Sequence, residues 1–554
     1  MRACCRCRRS AVLADTPPFV YVTCRSLAER PPCCYYLAMP PLPLQRIIDA
    51  VEPLRTLNYR ELSIRGLCYD SRLVQPGDLF FAIPGDHTDG HHYVEDAVTR
   101  GAVAIIHSSP LPHYPHGVVC IQATNSRVAM AAAAARFYDA PADKLALIGV
   151  TGTDGKSTTA YFIYQLLQRL GKRCGFLSTV AIDTGTGLQK NRLRQSTPES
   201  PEIQRFLASM VDADCRYAVV ETTSHGLSQR TARLHGIEFD AAVFTNLSHE
   251  HLEFHGSFER YRDDKANLFR ALRGNADSYG VVNADDPNHH WFEAVTDRPV
   301  YRYAIDSSDA ELRATRCSYG SESSECVFFD RSAHSETSVQ VAAPARFNVE
   351  NALAAALTVS RLLQLPVADL KEAIAALHPV VGRMAPISGS QPFSVIVDYA
   401  HSPGSFQKVF PIFRSHTAGR LIAVFGSAGE RDTRKRPLQG AIAARYSDIL
   451  ILADEDPRGE DPLQILREIA QGAVQQNPRL TEGDTLRLIP DRTEAIRTAL
   501  SLAGPRDTVV MLGKGHEGSI IYRSGAVEWD ERRVAEEALR SLGYTVGAGE
   551  TAAC

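Results

Sequence analysis

A chain of 554 residues is too long for one hydrophobic core, and at roughly 150 residues per domain it is expected to fold as three or four. Its composition is 44% apolar and 22% charged with a net charge of −4, which fits a soluble globular protein and excludes the basic excess of a general nucleic-acid surface. No uncharged apolar run approaches the roughly 18 residues of a membrane span.

Six of the thirteen cysteines crowd the start of the chain (Cys4, Cys5, Cys7, Cys24, Cys33, Cys34), and the other seven are scattered singly. Scattered thiols suit a reducing compartment, so a cytoplasmic location is expected. Cys4 and Cys7 have metal-pair spacing, but no second pair follows, which argues against zinc. The basic start lacks a signal-peptide core. Residues 1–40 are expected to be a disordered extension or the product of a start codon set too early, and dispensable for activity.

Three blocks and a short tail follow. Residues 41–141 hold "DSRLVQPGDLFFAIPGDHTDGHHYVEDAVTRGAVAII", in which short strands alternate with Gly/Asp turns and one helix. Residues 142–377 open on "LALIGVTGTDGKSTTAYFIYQLLQRL", an apolar run, a glycine-rich turn and a helix. Residues 378–545 contain "SVIVDYAH", "LIAVFGSAGERD", "ILILADEDPRG" and "TVVMLGKGHE". Residues 546–554 form the tail.

One pattern sets the fold class. Seven apolar runs of four to six residues end directly in polar, chemically able residues: "YAVVETTSH", "AAVFTNLSHEH", "YGVVNADD" and the four in the third block. Short runs that are apolar throughout fit parallel strands buried on both faces. In open α/β sheets ligands bind just beyond the carboxyl ends of such strands. The expectation is α/β throughout: an N-terminal α/β domain, a central parallel-sheet domain of P-loop type, and a C-terminal Rossmann-like domain.

In the turn, Gly152 and Gly155 let backbone amides face phosphate oxygens, Lys156 adds positive charge, and the following helix offers its N-terminal amides. Ser157 or Thr158 can hold Mg²⁺ through a hydroxyl. The general P-loop pattern is broken, because Val150 stands where glycine is usual and Gly149 lies one residue earlier. Further on, Glu221 ends a strand as a bare carboxylate, a suitable Mg²⁺ ligand. Lys265 follows Asp263 and Asp264 on a helix, where a solvated lysine is the default reading.

The form Gly-Thr-x-Gly-Lys-Ser-Thr resembles the ATP site of the Mur ligase family and of its relative, folylpolyglutamate synthetase. The resemblance runs from about residue 41 to residue 543, with motifs in order. It implies that Gly152, Thr153, Asp154, Gly155, Lys156, Ser157 and Thr158 bind ATP, with Asn283 of "VVNADDP" and Asn348 of "RFNVENALAAAL" beside the base. It implies two Mg²⁺ ions, held by Ser157, Glu221, His251 and a carbamate formed from CO₂ on Lys265. Lys156, Lys265 and His251 are then the catalytic residues. Glu250 stands where the family has Asp before that His.

For the first block the resemblance implies a UDP-holding domain, with Ser71, Asp86, His87 and Thr88 on the nucleotide substrate. Ser196, Thr197, Thr223 and Gln229 would hold its muramoyl-dipeptide. Thr231 replaces the family's arginine, leaving Arg230 or Arg233 as substitutes. Arg431, Asp456, Arg458, Gly513 and Glu517 match the site of the incoming amino acid in the member that adds a diamino acid to UDP-MurNAc-L-Ala-D-Glu. Ligases choosing meso-diaminopimelate carry Asp-Asn-Pro-Arg where this chain has Glu455-Asp456-Pro457-Arg458. Arg458 suits a carboxylate and Asp456 an ammonium, so diaminopimelate, lysine and ornithine all stay open.

The implied activity is therefore ATP-dependent amide ligation through an acyl phosphate, by a cytoplasmic monomer without nucleic-acid or membrane partners. Glutamate addition to folate is the nearest alternative, and the "DSR…PGDLF" block argues against it because that synthetase lacks a UDP-binding domain. A nucleotide-driven switch is the alternative from another class. It would hydrolyse ATP without any small-molecule acceptor.

Overall fold

The computed structural model describes residues 39–546 except 86–87, 192, 194, 249–251, 321–322 and 381. The expectations for the cysteine-rich start, for the last eight residues of the tail, and for Asp86, His87 and His251 lie outside the described residues. The chain divides into two compact units, residues 1–138 and 139–554.

In the first unit, Gly66–Cys68, Asp78–Ala82, Ala104–His107 and Val119–Gln122 pair in parallel in that order, and Arg55–Leu57 joins Val119–Gln122 antiparallel. Leu79, Phe81, Ile106 and Ile121 pack on the helix faces of Leu44–Val51 and Ser126–Phe137, through Ile47, Met130 and Ala133. Asn125 caps the second helix by accepting from the amides of Arg127 and Val128.

The second unit holds two large sheets. In the first, seven strands run parallel in the spatial order Cys174–Leu177, Tyr217–Glu221, Ala146–Thr151, Ala241–Phe244, Tyr279–Asn283, Val300–Ala304 and Leu312–Tyr319. Ser324–Asp330 and Ser335–Val341 extend it antiparallel. In the other sheet Ser394–Asp398, Thr508–Leu512, Leu421–Phe425, Ile449–Leu452 and Leu486–Leu488 are parallel. All seven apolar runs singled out in the sequence are among these parallel strands. The α/β expectation holds.

The strands are apolar throughout because both faces are covered. One face of the first sheet buries Ile148, Val150 and Val219 against the helices Lys156–Arg169 and Arg346–Leu363. The other face buries Leu147, Ala218 and Phe244 against Ser200–Asp212 and Phe258–Arg270. Each fully buried Leu, Ile, Val or Phe contributes about 1.5–3 kcal/mol, so this double burial dominates the stability of the layer. The last strand, Ser335–Val341, alternates buried with more exposed residues along its length, as does its neighbour Ser324–Asp330. Both belong to the antiparallel extension, where one face meets water. Among the described residues no single helix is long and apolar enough to cross a membrane.

Candidate active site

The turn after Ala146–Thr151 closes into a loop that only glycine permits at two points. Gly152 has φ +144° and a Cβ there would sit 2.0 Å from Thr245 Oγ1. Gly155 has φ +80°, and its Cβ would lie 2.4 Å from Asn351 Oδ1. Gly155 then starts the Lys156–Arg169 helix, whose first amides face the loop. Lys156 Nζ donates to Thr153 O at 2.7 Å, so its ammonium lies over the loop's own backbone.

The loop is held from outside by the end of the neighbouring strand. Asn246 O accepts from Thr153 N at 2.7 Å, and Asn246 Oδ1 from Asp154 N at 3.0 Å. Thr245 Oγ1 donates to Asp154 O at 2.6 Å. Thr153 Oγ1 accepts from Ser248 N at 2.9 Å and lies 3.1 Å from Tyr261 OH. The Asp154 side chain turns outward and forms an ion pair with Lys408. Burial raises the Asp154 pKa, but Lys408, Lys156 and Arg383 outweigh it and hold the carboxyl below its ordinary range.

Beside the loop lie two oxygen donors. Ser157 Oγ donates to Glu221 Oε1 at 3.0 Å, and Glu221 Oε2 accepts from the amide and hydroxyl of Thr179 at 2.9 and 3.0 Å. Both Ser157 and Glu221 are buried. A hydroxyl and an anchored carboxylate fit a hard cation such as Mg²⁺. Lys265 is 1% exposed, its Nζ 2.5 Å from Gly152 O and 4.6 Å from the centre of the Tyr261 ring. The helix Phe258–Arg270 thus carries it under the phosphate loop, with Asp263 on the outside paired to Arg270. The solvated-lysine default fails because Lys265 faces inward.

Thr197 and Thr223 share this neighbourhood. Their hydroxyls lie 3.0 Å apart, and Thr197 Oγ1 donates to Glu221 O at 3.1 Å. Ser196 is half-buried and Gln229 is exposed. Of the two arginines weighed against Thr231, Arg233 binds Glu199 Oε1 at 3.0 Å and Thr197 O at 2.9 Å, and Arg230 lies over the Phe254 ring at 4.7 Å. His255 is buried between Asp264 and Ser224, a structural position. In the first unit Ser71 is buried beside the Asp70 turn, and Thr88 Oγ1 lies 3.0 Å from Tyr93 OH.

Asn348 donates to Pro344 O at 2.7 Å, and Asn351 accepts from Thr159 Oγ1 at 3.0 Å, which seats the Arg346–Leu363 helix start against the loop. Asn283 accepts from Asp285 N at 3.0 Å within its own turn. Asp398 receives the amides of Met384 and Ala400, both at 2.8 Å, so its carboxylate closes a turn. Burial raises its pKa and those bonds and Arg383 oppose the rise.

The three strand-end loops of the last sheet converge. A Cβ on Gly426 would lie 2.0 Å from Ala453 O, and one on Gly429 would lie 2.1 Å from Pro457 O. Gly429 N donates to Asp456 O at 2.8 Å, which docks the turn before Arg431 on the turn before Arg458. Arg431 is exposed; Arg458 has φ +53° and a buried Nε without a hydrogen-bond partner. Lys514 is fully buried and donates to Asp456 Oδ1 at 2.9 Å and Glu517 Oε2 at 2.5 Å. Gly513, at φ +101°, lets the chain pass Glu455, whose Oε2 is buried and unpartnered.

Beneath these loops Arg492 is buried, donating to Asp454 O at 3.0 Å, to Leu512 O at 2.7 Å and to Glu531. It ties the two strand ends whose next residues are Glu455 and Gly513. Sequence reasoning missed Arg492, Lys514, Asn246, Thr179 and Lys408. Asn246 and Lys514 follow apolar runs and were accessible to the strand-end rule; Arg492 and Lys408 sit on helices with no local signal.

Fold and site together define a three-part nucleotide-dependent ligase, and the chain belongs to the Mur ligase family. The family's N-terminal model (Mur ligase family, catalytic domain) matches residues 63–138, the Mur ligase middle domain residues 150–359, and the glutamate ligase domain residues 382–515. The UDP-N-acetylmuramyl-tripeptide synthetase of Borreliella afzelii (strain PKo) is 44% identical over 485 residues, covering 87% of this chain and 94% of its own. The UDP-N-acetylmuramoyl-L-alanyl-D-glutamate–2,6-diaminopimelate ligase of Geobacillus thermodenitrificans (strain NG80-2) is 38% identical over 478 residues, covering 85% and 94%. A solved structure of a 2,6-diaminopimelate ligase of the same name superposes with a TM-score of 0.62 at 26% identity, over 91% of this chain and 100% of the other.

Proposed function

We propose that this chain is the ATP-dependent ligase that joins a diamino acid to UDP-N-acetylmuramoyl-L-alanyl-D-glutamate in peptidoglycan precursor synthesis, as a cytoplasmic monomer. The observation that carries the reading is the juxtaposition of the Gly152–Gly155 loop, the Ser157–Glu221 pair and buried Lys265 in a chain similar to tripeptide synthetases over most of its length.

In this reading the loop amides and Lys156 receive the β- and γ-phosphates of ATP, and Asn348 and Asn283 border the base. Ser157 and Glu221, with His251, would hold Mg²⁺, which supplies charge neutralisation on the phosphates when bound. Thr197, Thr223, Ser196 and Gln229 grip the muramoyl-dipeptide, and Ser71, Asp86, His87 and Thr88 its uridine diphosphate. The acceptor's D-glutamyl carboxylate attacks the γ-phosphorus, forming an acyl phosphate and releasing ADP. The amine of the diamino acid, oriented by Arg431, Arg458, Asp456, Gly513 and Glu517, then attacks the acyl carbon. Phosphate leaves, and the amine proton passes to solvent or phosphate. Positioning and charge stabilisation account for most of the rate.

Lys265 fits a carbamate on chemical grounds. As an ammonium it would repel a divalent ion beside Ser157 and Glu221, whereas a carbamate attracts one and its remaining N–H can still donate to Gly152 O.

The test is a reaction of purified protein with ATP, the UDP-linked dipeptide labelled with ¹⁸O in its free carboxylates, and diaminopimelate, lysine and ornithine in competition. The expected result is one tripeptide product by mass and ¹⁸O in the liberated phosphate. Phosphate release that ignores the acceptor would replace the ligase by a switch.

A further inference from the structure

The phosphate loop and the last sheet's first helix are joined by a pair of opposite charges. Asp154 lies between Thr153, fixed by Asn246, and Gly155, which starts the loop's own helix. Its carboxylate faces away from that frame and meets Lys408 Nζ. Lys408 sits on the second turn of Pro403–His416, a helix anchored at its start by the Ser402–Ser405 capping box. The same helix packs Phe406, Phe410 and Phe413 into the core of the last sheet. A force on Lys408 is therefore transmitted to the whole C-terminal block, and a force on Asp154 to the phosphate loop.

Both partners are about half exposed, at 50% and 45%, so the pair adds little to folding stability. Its use is geometric. In the ligase reading the loop end faces the phosphates, while the block beyond Lys408 carries the loops of Asp456, Arg458 and Glu517. Resting on the ligase reading above, we infer that Lys408 is a positioning residue: through Asp154 it docks the amine-bearing block on the phosphate loop. That docking sets how often the acyl phosphate meets an amine rather than water.

The inference predicts a split between the two half-reactions. Lys408→Ala should leave the KM for ATP within about twofold, because no loop donor is removed, and should lower tripeptide formation by about fivefold. Phosphate released per tripeptide formed should rise, since an acyl phosphate left uncovered hydrolyses. Lys408→Arg should restore the ratio. Asp154→Asn should give the same uncoupling, and the double variant should be no worse than either single one.

A merely structural helix residue would lower rate and thermal midpoint together and leave the ratio of phosphate to tripeptide at one, which would overturn the inference. So would additive effects of the two substitutions. Failure of the ligase reading is separately visible, because the unmodified protein would then make no tripeptide.

Discussion

Lys514 Nζ, fully buried, lies 2.9 Å from Asp456 Oδ1 and 2.5 Å from Glu517 Oε2. The same Asp456 oxygen accepts from Ile521 N at 2.9 Å. The Asp456 carboxylate is thus met from inside by an ammonium. The Asp456–Lys514–Glu517 trio carries one net negative charge; with asparagine at 456 it would be neutral.

The first prediction follows from that difference. Asp456→Asn should shift preference among diaminopimelate, lysine and ornithine away from the two with a bare side-chain ammonium, by about fivefold. Competition with all three, read by product mass, measures it, and an unchanged product ratio would show that the charge at 456 is not sensed. Lys514→Met should instead destabilise the fold by about 1–3 kcal/mol, because two partly exposed carboxylates lose a charged hydrogen-bond donor. Its thermal midpoint reports that loss.

A second prediction concerns Mg²⁺. Thr179 orients Glu221 through two hydrogen bonds, and losing such an outer partner weakens a metal site on the order of tenfold. Thr179→Val keeps the amide bond and removes the hydroxyl. The Mg²⁺ concentration giving half the maximal rate should rise by about that factor, and Glu221→Gln should be inactive at any practical concentration. Chelation of Mg²⁺ should stop the unmodified enzyme.

Lys265→Ala should be inactive, and a short carboxylate such as acetate should restore part of the rate by occupying the place of the carbamate. Bicarbonate should not rescue the variant. Full activity without acetate would dissociate Lys265 from the site.

One contributor to the pH dependence of stability is Asp454. Burial pushes the Asp454 carboxyl up to about 6, against hydrogen bonding from Tyr522 and the charge of Arg492. A carboxyl whose folded pKa lies above its unfolded value favours the folded state most at low pH, below about 4. That contribution disappears as pH rises from about 4 through 6. Asp454→Asn keeps an acceptor for Tyr522 and removes the titration. Its thermal midpoint should exceed that of the unmodified protein at pH 7 and approach it at pH 4.5; equal differences at both pH values would exclude Asp454 as the source.

Much of this molecule is written in local sequence. Seven apolar runs ending in polar residues were enough to place seven parallel strands, because a strand covered on both faces has no polar side to alternate with. Gly152, Gly155 and Lys156 were legible for the same reason: a loop that bends at positive φ and starts a helix constrains residue type directly. Only the tertiary structure decided the direction of side chains whose identity is compatible with several surroundings. Lys265 reads as a solvated helix lysine beside two aspartates, and it is the packing of Phe258–Arg270 under the loop that turns it inward. Asp456 reads as an anion open to a ligand, and Lys514 from another strand end meets it first. Arg492 and Lys408 act across 20 to more than 250 residues of chain, on Leu512 and on Asp154, and no periodicity encodes a partner that distant. Local chemistry fixes which backbone shapes are allowed; which charges meet depends on how the sheets pack.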